Sequence, residues 1–193
     1  MRLDDNRNLI LNMVKEKEEI GKTAVMKYTF FLQRIFGLKL GYSFDIYTYG
    51  PYSSDVSGDL DSLIFYGFVD AEIYSYNKSS AYKLKITEKG EKIRAELSPD
   101  EKQKLHQVLC LFGDKKVRNL ELVSTILYFA DLYERIGQED SEGYSIIKNV
   151  KEIKPHFDLV EIEGEFENLR KLNKNNLFGR DFIALQGVFE RKL

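Results

Sequence analysis

Three observations predict an α+β chain that is mostly helical. A basic stretch with helical spacing, Lys22 to Phe36, leads through an aromatic extended segment to Tyr49-Gly50-Pro51-Tyr52-Ser53. A short acidic helical stretch follows, and then two β-forming segments that end in Thr87-Glu88-Lys89-Gly90. Beyond Ser98 the apolar residues recur with helical spacing. That order predicts a winged helix-turn-helix-like domain over residues 1–97 and a helical half over residues 98–193 packed on it.

The elements follow in turn. A first helix is expected from about Asp4 to Lys17, with Leu9 and Met13 on its apolar stripe and Asp4 or Asp5 as cap. Over Lys22 to Phe36, Val25, Tyr28, Leu32 and Ile35 share one face, and Gly37 follows where a terminating glycine belongs. Phe44 to Tyr49 alternates and is rich in β-formers, so it reads as extended, with Gly50-Pro51 ending it as a corner. Ser53 or Ser54 caps a helix to Tyr66, with Val56, Leu60, Leu63 and Ile64 inward. Phe68 to Tyr76 and Tyr82 to Ile86 read as strands around the turn cluster Asn77-Lys78-Ser79-Ser80. Thr87 opens a short helix to about Leu97.

Ser98-Pro99-Asp100-Glu101 has the cap, the first-turn proline and the third-position glutamate of a strong helix start. Further helices are expected near 99–112, 119–136, 142–153 and 158–173, with a short docking helix within Gly179 to Leu193. The second of these is apolar almost all round, which marks a buried spine. The spine is too apolar for three short neighbours to cover, so the two halves are expected to share one core.

Composition narrows the function classes. Thirteen Phe and twelve Tyr in 193 residues supply enough apolar bulk for a real core. A net charge of -2 provides no global field toward nucleic acid or anionic lipid. No apolar run approaches the length of a membrane span, and Met1-Arg2-Leu3-Asp4-Asp5 lacks the layout of a signal peptide. With Cys110 alone, no internal disulfide can form. A cytoplasmic protein with no membrane partner is expected.

Lys22 to Phe36, Tyr49-Gly50-Pro51-Tyr52-Ser53, Leu60-x-x-Leu63-x-x-x-Gly67-Phe68-Val69 and Thr87-Glu88-Lys89-Gly90 together resemble the YwgA-like family of prokaryotic winged-helix proteins. The lysine-bearing helix with its Tyr-Gly-Pro turn is more distantly similar to Panacea-type antitoxin domains. Leu120-Glu121-Leu122-Val123-x-Thr125-Ile126 and Lys154-Pro155-x-Phe157 resemble the C-terminal helices of the same group. The resemblance implies a winged-helix fold and a regulatory or defence role. It supplies no catalytic residue and no cofactor.

Two binding readings stand open: a regulator acting through protein contact, and a transcriptional regulator that binds double-stranded DNA. The helix after Pro51 carries Asp55, Asp59 and Asp61 and no Lys or Arg, so it would repel phosphate. DNA donors are therefore expected on the preceding helix and the hairpin: Lys22, Lys27, Arg34, Lys39, Lys78, Lys83 and Lys85. A protein surface is expected on Tyr49, Tyr52, Asp55, Asp59 and Tyr66, with Gly50 and Pro51 as a structural turn. The same tyrosines, Tyr47 included, could instead pack the connection against the core. A homodimer is expected only by analogy with other winged-helix regulators. His106 and Cys110 share a helix face and could form a thiol–imidazole pair, but Leu105, Val108, Leu109 and Phe112 point to plain packing. Nothing has the spacing of a metal site or of a phosphate-binding loop, so no enzyme, metal or cofactor is expected.

Overall fold

The structure is a computed structural model that describes residues 3–76, 79–137 and 143–186. It is α+β and mostly helical, with two small antiparallel sheets. Helix α1 (Asp5–Glu16) starts at Asp4, whose carboxylate accepts the Arg7 backbone N–H. Helix α2 (Lys22–Arg34) is buried at every residue from Ala24 to Leu32. Its sequence reads as a helix with one apolar face, but α1, α3 (Ser54–Phe65), α5 (Pro99–Phe112) and α6 (Val117–Ile136) surround it.

The segment before α3 differs from expectation. Gly50-Pro51 does not end a strand; it begins one. Strand β1 (Asp45–Tyr47) turns at Thr48-Tyr49 and pairs antiparallel with β2 (Gly50–Tyr52), Ile46 opposite Pro51. Proline is tolerated because a two-stranded ribbon has free edges, where no donor is needed. Gly50 has φ +89, and a Cβ there would lie 2.8 Å from Ser124 Oγ and 3.2 Å from Thr125 Oγ1. The glycine is thus required twice, by backbone conformation and by close approach to α6.

Ser53 caps α3 by accepting the Val56 N–H. Strands β3 (Val69–Tyr76) and β4 (Ser79–Ile86) form the second ribbon, so Ser79 and Ser80 belong to a strand rather than to a turn. Ile20, between α1 and α2, makes a bridge to Leu84. Thr87 caps α4 (Glu88–Ile93), and Ser98 with Glu101 forms the expected capping box of α5. Helices α7 (Tyr144–Ile153) and α8 (Leu159–Lys174) follow α6. The expected docking helix is a short 3-10 turn, Ile183–Leu185, and residues 187–193 lie outside the described ones.

α6 carries the architecture. It packs on α2 and β2 from the N-terminal half and on α7, α8 and the 3-10 turn from the other. Leu120, Val123, Ile126 and Leu127 are all buried, and the apolar core runs as one cluster from Leu3 to Leu185. Ser98 therefore starts a helix without dividing the core.

Two outcomes follow. Chemical unfolding of the full chain should be a single transition, the same by tyrosine fluorescence and by far-ultraviolet circular dichroism. Gly50→Val should lower stability by ~1–3 kcal/mol in the same assay, through its positive φ and its contact with Ser124; an unchanged midpoint would contradict the role assigned to Gly50.

Candidate functional site

The β1–β2 hairpin is held in place by two buried lysines. Lys27, on α2, is 2% exposed and donates to the Pro51 carbonyl at 2.6 Å. Lys154, just after α7, is 1% exposed and donates to the Tyr47 carbonyl at 3.1 Å and to the Thr48 carbonyl. The carboxylate in this cluster is Glu121 of α6, whose Oε1 lies 2.9 Å from Lys154 Nζ. The ion pair is close but off-line for a hydrogen bond. His156 Nε2 approaches the same oxygen at 3.4 Å from a half-exposed position.

The cluster holds two amines for one buried carboxylate, and its electrostatics follow from that imbalance. Burial, and then the Lys154 charge, push the Lys27 amine down to about 7; Glu121 opposes them weakly. The ordinary lysine value is 10.5. At 2% exposed and bound to the hairpin, Lys27 is not the surface cation that the sequence suggested. It sits in the stretch of α2 that is buried at every residue, and its amine reaches the hairpin backbone.

Above this cluster lies a cleft of about 520 Å³ between α2, the hairpin and α3. Tyr47, Tyr49 and Tyr52 form its hairpin side, Met26, Val56 and Leu60 its apolar lining, and Lys22 and Lys27 its cationic lining. Tyr47 and Tyr49 are about two-thirds exposed, at 66% and 64%, and Tyr52 is 38% exposed. Tyr47 and Tyr52 stack at 5.4 Å between ring centroids. These tyrosines do not fill the core; the lysines and Gly50 dock the hairpin and leave its rings outside.

The remaining candidates scatter. Lys22 pairs with Asp61 at 2.8 Å, Lys83 with Glu19 at 2.6 Å, and Lys85 with Glu19 and Glu72 at 3.5 and 3.7 Å. Arg34 faces the buried Asp131 at 3.9 Å. Lys39 is exposed and has no ion-pair partner among the described residues; Lys78 lies outside them. Asp55 is exposed, but Asp59 is not a free surface charge: it accepts from Tyr42 Oη at 2.6 Å and from Arg7 Nε at 2.9 Å. Burial, and then that contact with Asp59, raise the Tyr42 hydroxyl well above the usual tyrosine range. Tyr66 is exposed beside Phe65, whose ring is 5.3 Å away, and lines no part of the cleft.

Cys110 is exposed rather than packed, and its Sγ lies 3.6 Å from the His106 ring nitrogens on the solvent side of α5. Leu105, Val108 and Phe112 fill the buried side. Among the described residues no group of three His, Cys, Asp or Glu could hold a metal, and no helix is long and apolar enough to cross a membrane. Glu121 and Lys154 are the site residues that sequence reasoning missed. The available signal was a carboxylate between Leu120 and Leu122 on a helix that is apolar almost all round. No family model matches this chain, and no characterised protein matches it either.

Lys27 makes stability depend on pH with a definite sign. Its folded value lies below its unfolded value, so between about pH 7 and 10 the unfolded chain binds more protons and stability rises with pH. The expected slope approaches ~1.4 kcal/mol per pH unit, and Lys27→Met should remove it. Urea midpoints across that range check this; a slope unchanged by the substitution would contradict it. Cys110→Ser, by contrast, should move the midpoint by no more than ~0.5 kcal/mol, as for a surface change.

Proposed function

We propose that this chain is a non-enzymatic, cytoplasmic regulatory protein that acts by direct contact with a protein partner, in the manner of an antitoxin. The observation that carries this reading is the tyrosine hairpin. Tyr47, Tyr49 and Tyr52 stand out from a ribbon whose backbone is fixed from below by Lys27, Lys154 and Gly50. Tyrosine offers a large amphipathic surface with few rotatable bonds, and a fixed ribbon has little left to order on binding. Such preorganised aromatic groups are what interface hot spots are made of.

The winged-helix reading is supported by element order: helix α1, the bridge at Ile20, helices α2 and α3, then the β3–β4 ribbon. The connection between α2 and α3, residues 35–53, is far longer than a helix-turn-helix turn because it contains the hairpin and one wall of the cleft. DNA readout is the weaker reading. Four of the expected donors, Lys22, Arg34, Lys83 and Lys85, already face carboxylates. A phosphate would have to displace those partners to gain contact energy.

The test places a benzophenone amino acid at Tyr49, and as control at Tyr144 on α7, in cells that express the full chain. The expected result is a discrete adduct at Tyr49, sensitive to protease but not to nuclease, and lost when Gly50→Val is added. A nuclease-sensitive adduct, or anisotropy showing salt-dependent duplex binding that Lys39→Ala and Lys83→Ala abolish, would favour DNA instead.

A further inference from the structure

We propose that the cleft beneath the tyrosine hairpin is a small-molecule site for a monocarboxylate carried on an apolar or aromatic body, with the Lys27 amine as its counter-ion. This goes beyond protein contact: it assigns a ligand to the floor of the cleft, whatever the rings outside it touch.

The first argument is a count of partners. Lys154 holds two hairpin carbonyls and the Glu121 carboxylate. Lys27 has one hydrogen-bond acceptor among the described residues, the Pro51 carbonyl. A protonated amine has three N–H directions, so two have no protein acceptor among the described residues. A buried cation in that condition is unstable unless it loses its proton or gains an anion. Burial and the Lys154 charge favour the first route and hold the Lys27 amine at about 7. A ligand carboxylate supplies the second.

The second argument is the lining. The cleft residues include two lysines, Thr23 and Ser57 but no Asp or Glu, so an anion meets no like charge on its walls. Its volume of about 520 Å³ falls in the range of small-molecule sites. Met26, Val56, Leu60 and the hairpin tyrosines provide apolar and aromatic walls for the ligand body. The third argument sets the ligand's charge. Lys22 is already paired with Asp61, which leaves Lys27 as the amine of the lining with no carboxylate at ion-pair distance among the described residues. One cation balances one negative charge; a dianion would bring a second, uncompensated charge against the apolar walls. Lys27 is 2% exposed, so it is reached by a compact head group rather than by a peptide backbone.

Binding should therefore carry a proton with it. The carboxylate joins Glu121 in favouring the Lys27 ammonium, while burial and Lys154 oppose it. At about pH 8 Lys27 holds little of that proton by itself, and with the carboxylate bound it holds most of it.

The test uses phenylacetate and hexanoate against the neutral phenylacetamide, by titration calorimetry on the full chain at about pH 8 in two buffers of different ionisation enthalpy. The expected result is that at least one acid binds about tenfold or more tighter than the amide and takes up a large fraction of one proton. Lys27→Met should bring acid and amide to the same affinity, and Lys22→Met should leave the preference in place. Where Lys27→Met does not fold, proton uptake by the wild-type chain decides. Equal affinities, no saturable binding by either acid, binding without proton uptake, or a preference that disappears with Lys22 would each overturn the proposal.

Discussion

Everything that projects from this protein's candidate site rests on a backbone held by charge. The β1–β2 hairpin is too short to be stable alone; a two-stranded ribbon in water is marginal at best. It persists because its carbonyls at Tyr47, Thr48 and Pro51 are the acceptors for two buried amines. The arrangement works in both directions. Buried lysines need acceptors, and a short hairpin needs its outward carbonyls occupied. Gly50 lets the ribbon come close enough to α6 for Lys154 and Glu121 to meet beside it. Take away any one of these and the others lose a partner.

The imbalance of charge in that cluster separates its two lysines. Lys154 has a carboxylate and a pair of carbonyls, which makes it a structural clasp. Lys27 has one carbonyl and a cleft above it, which leaves its charge conditional. The same helix therefore anchors the hairpin and exposes the floor of the cleft to whatever enters. On the outer surface the opposite rule holds. Lys22, Lys83 and Lys85 pair with Asp61, Glu19 and Glu72, and exposed pairs of this kind contribute little to stability.

Much of the fold was legible in the chain because local chemistry and global packing agree there. Ser98-Pro99 with Glu101 fixed the start of α5, Ser53 capped α3, and the apolar surface of α6 announced a spine that both halves share. The site was less legible, for physical reasons. Lys27 reads as a surface cation, because lysine is rarely buried and burial depends on which helices close around α2. Asp59 reads as a free acid on an exposed face until Arg7, far away in sequence, reaches it. Gly50-Pro51 reads as a chain terminator, since nothing local shows that the segment doubles back. Glu121 and Lys154 are separated in sequence by most of α6 and all of α7, so no spacing rule could join them. Tyr47, Tyr49 and Tyr52 could equally have packed inward; what turns them out is the anchoring of their backbone.

Amide hydrogen exchange in Lys154→Met, compared with the wild-type chain, tests most directly whether the buried lysines hold the hairpin. The substitution keeps most of the side-chain volume and removes the donor. If the account is right, hairpin amides between Ile46 and Tyr52 exchange ~10²-fold faster, while those of Tyr28 to Leu32 in the centre of α2 change far less, because the hairpin opens locally rather than with the core. Equal acceleration of both sets, or no change in either, would contradict it.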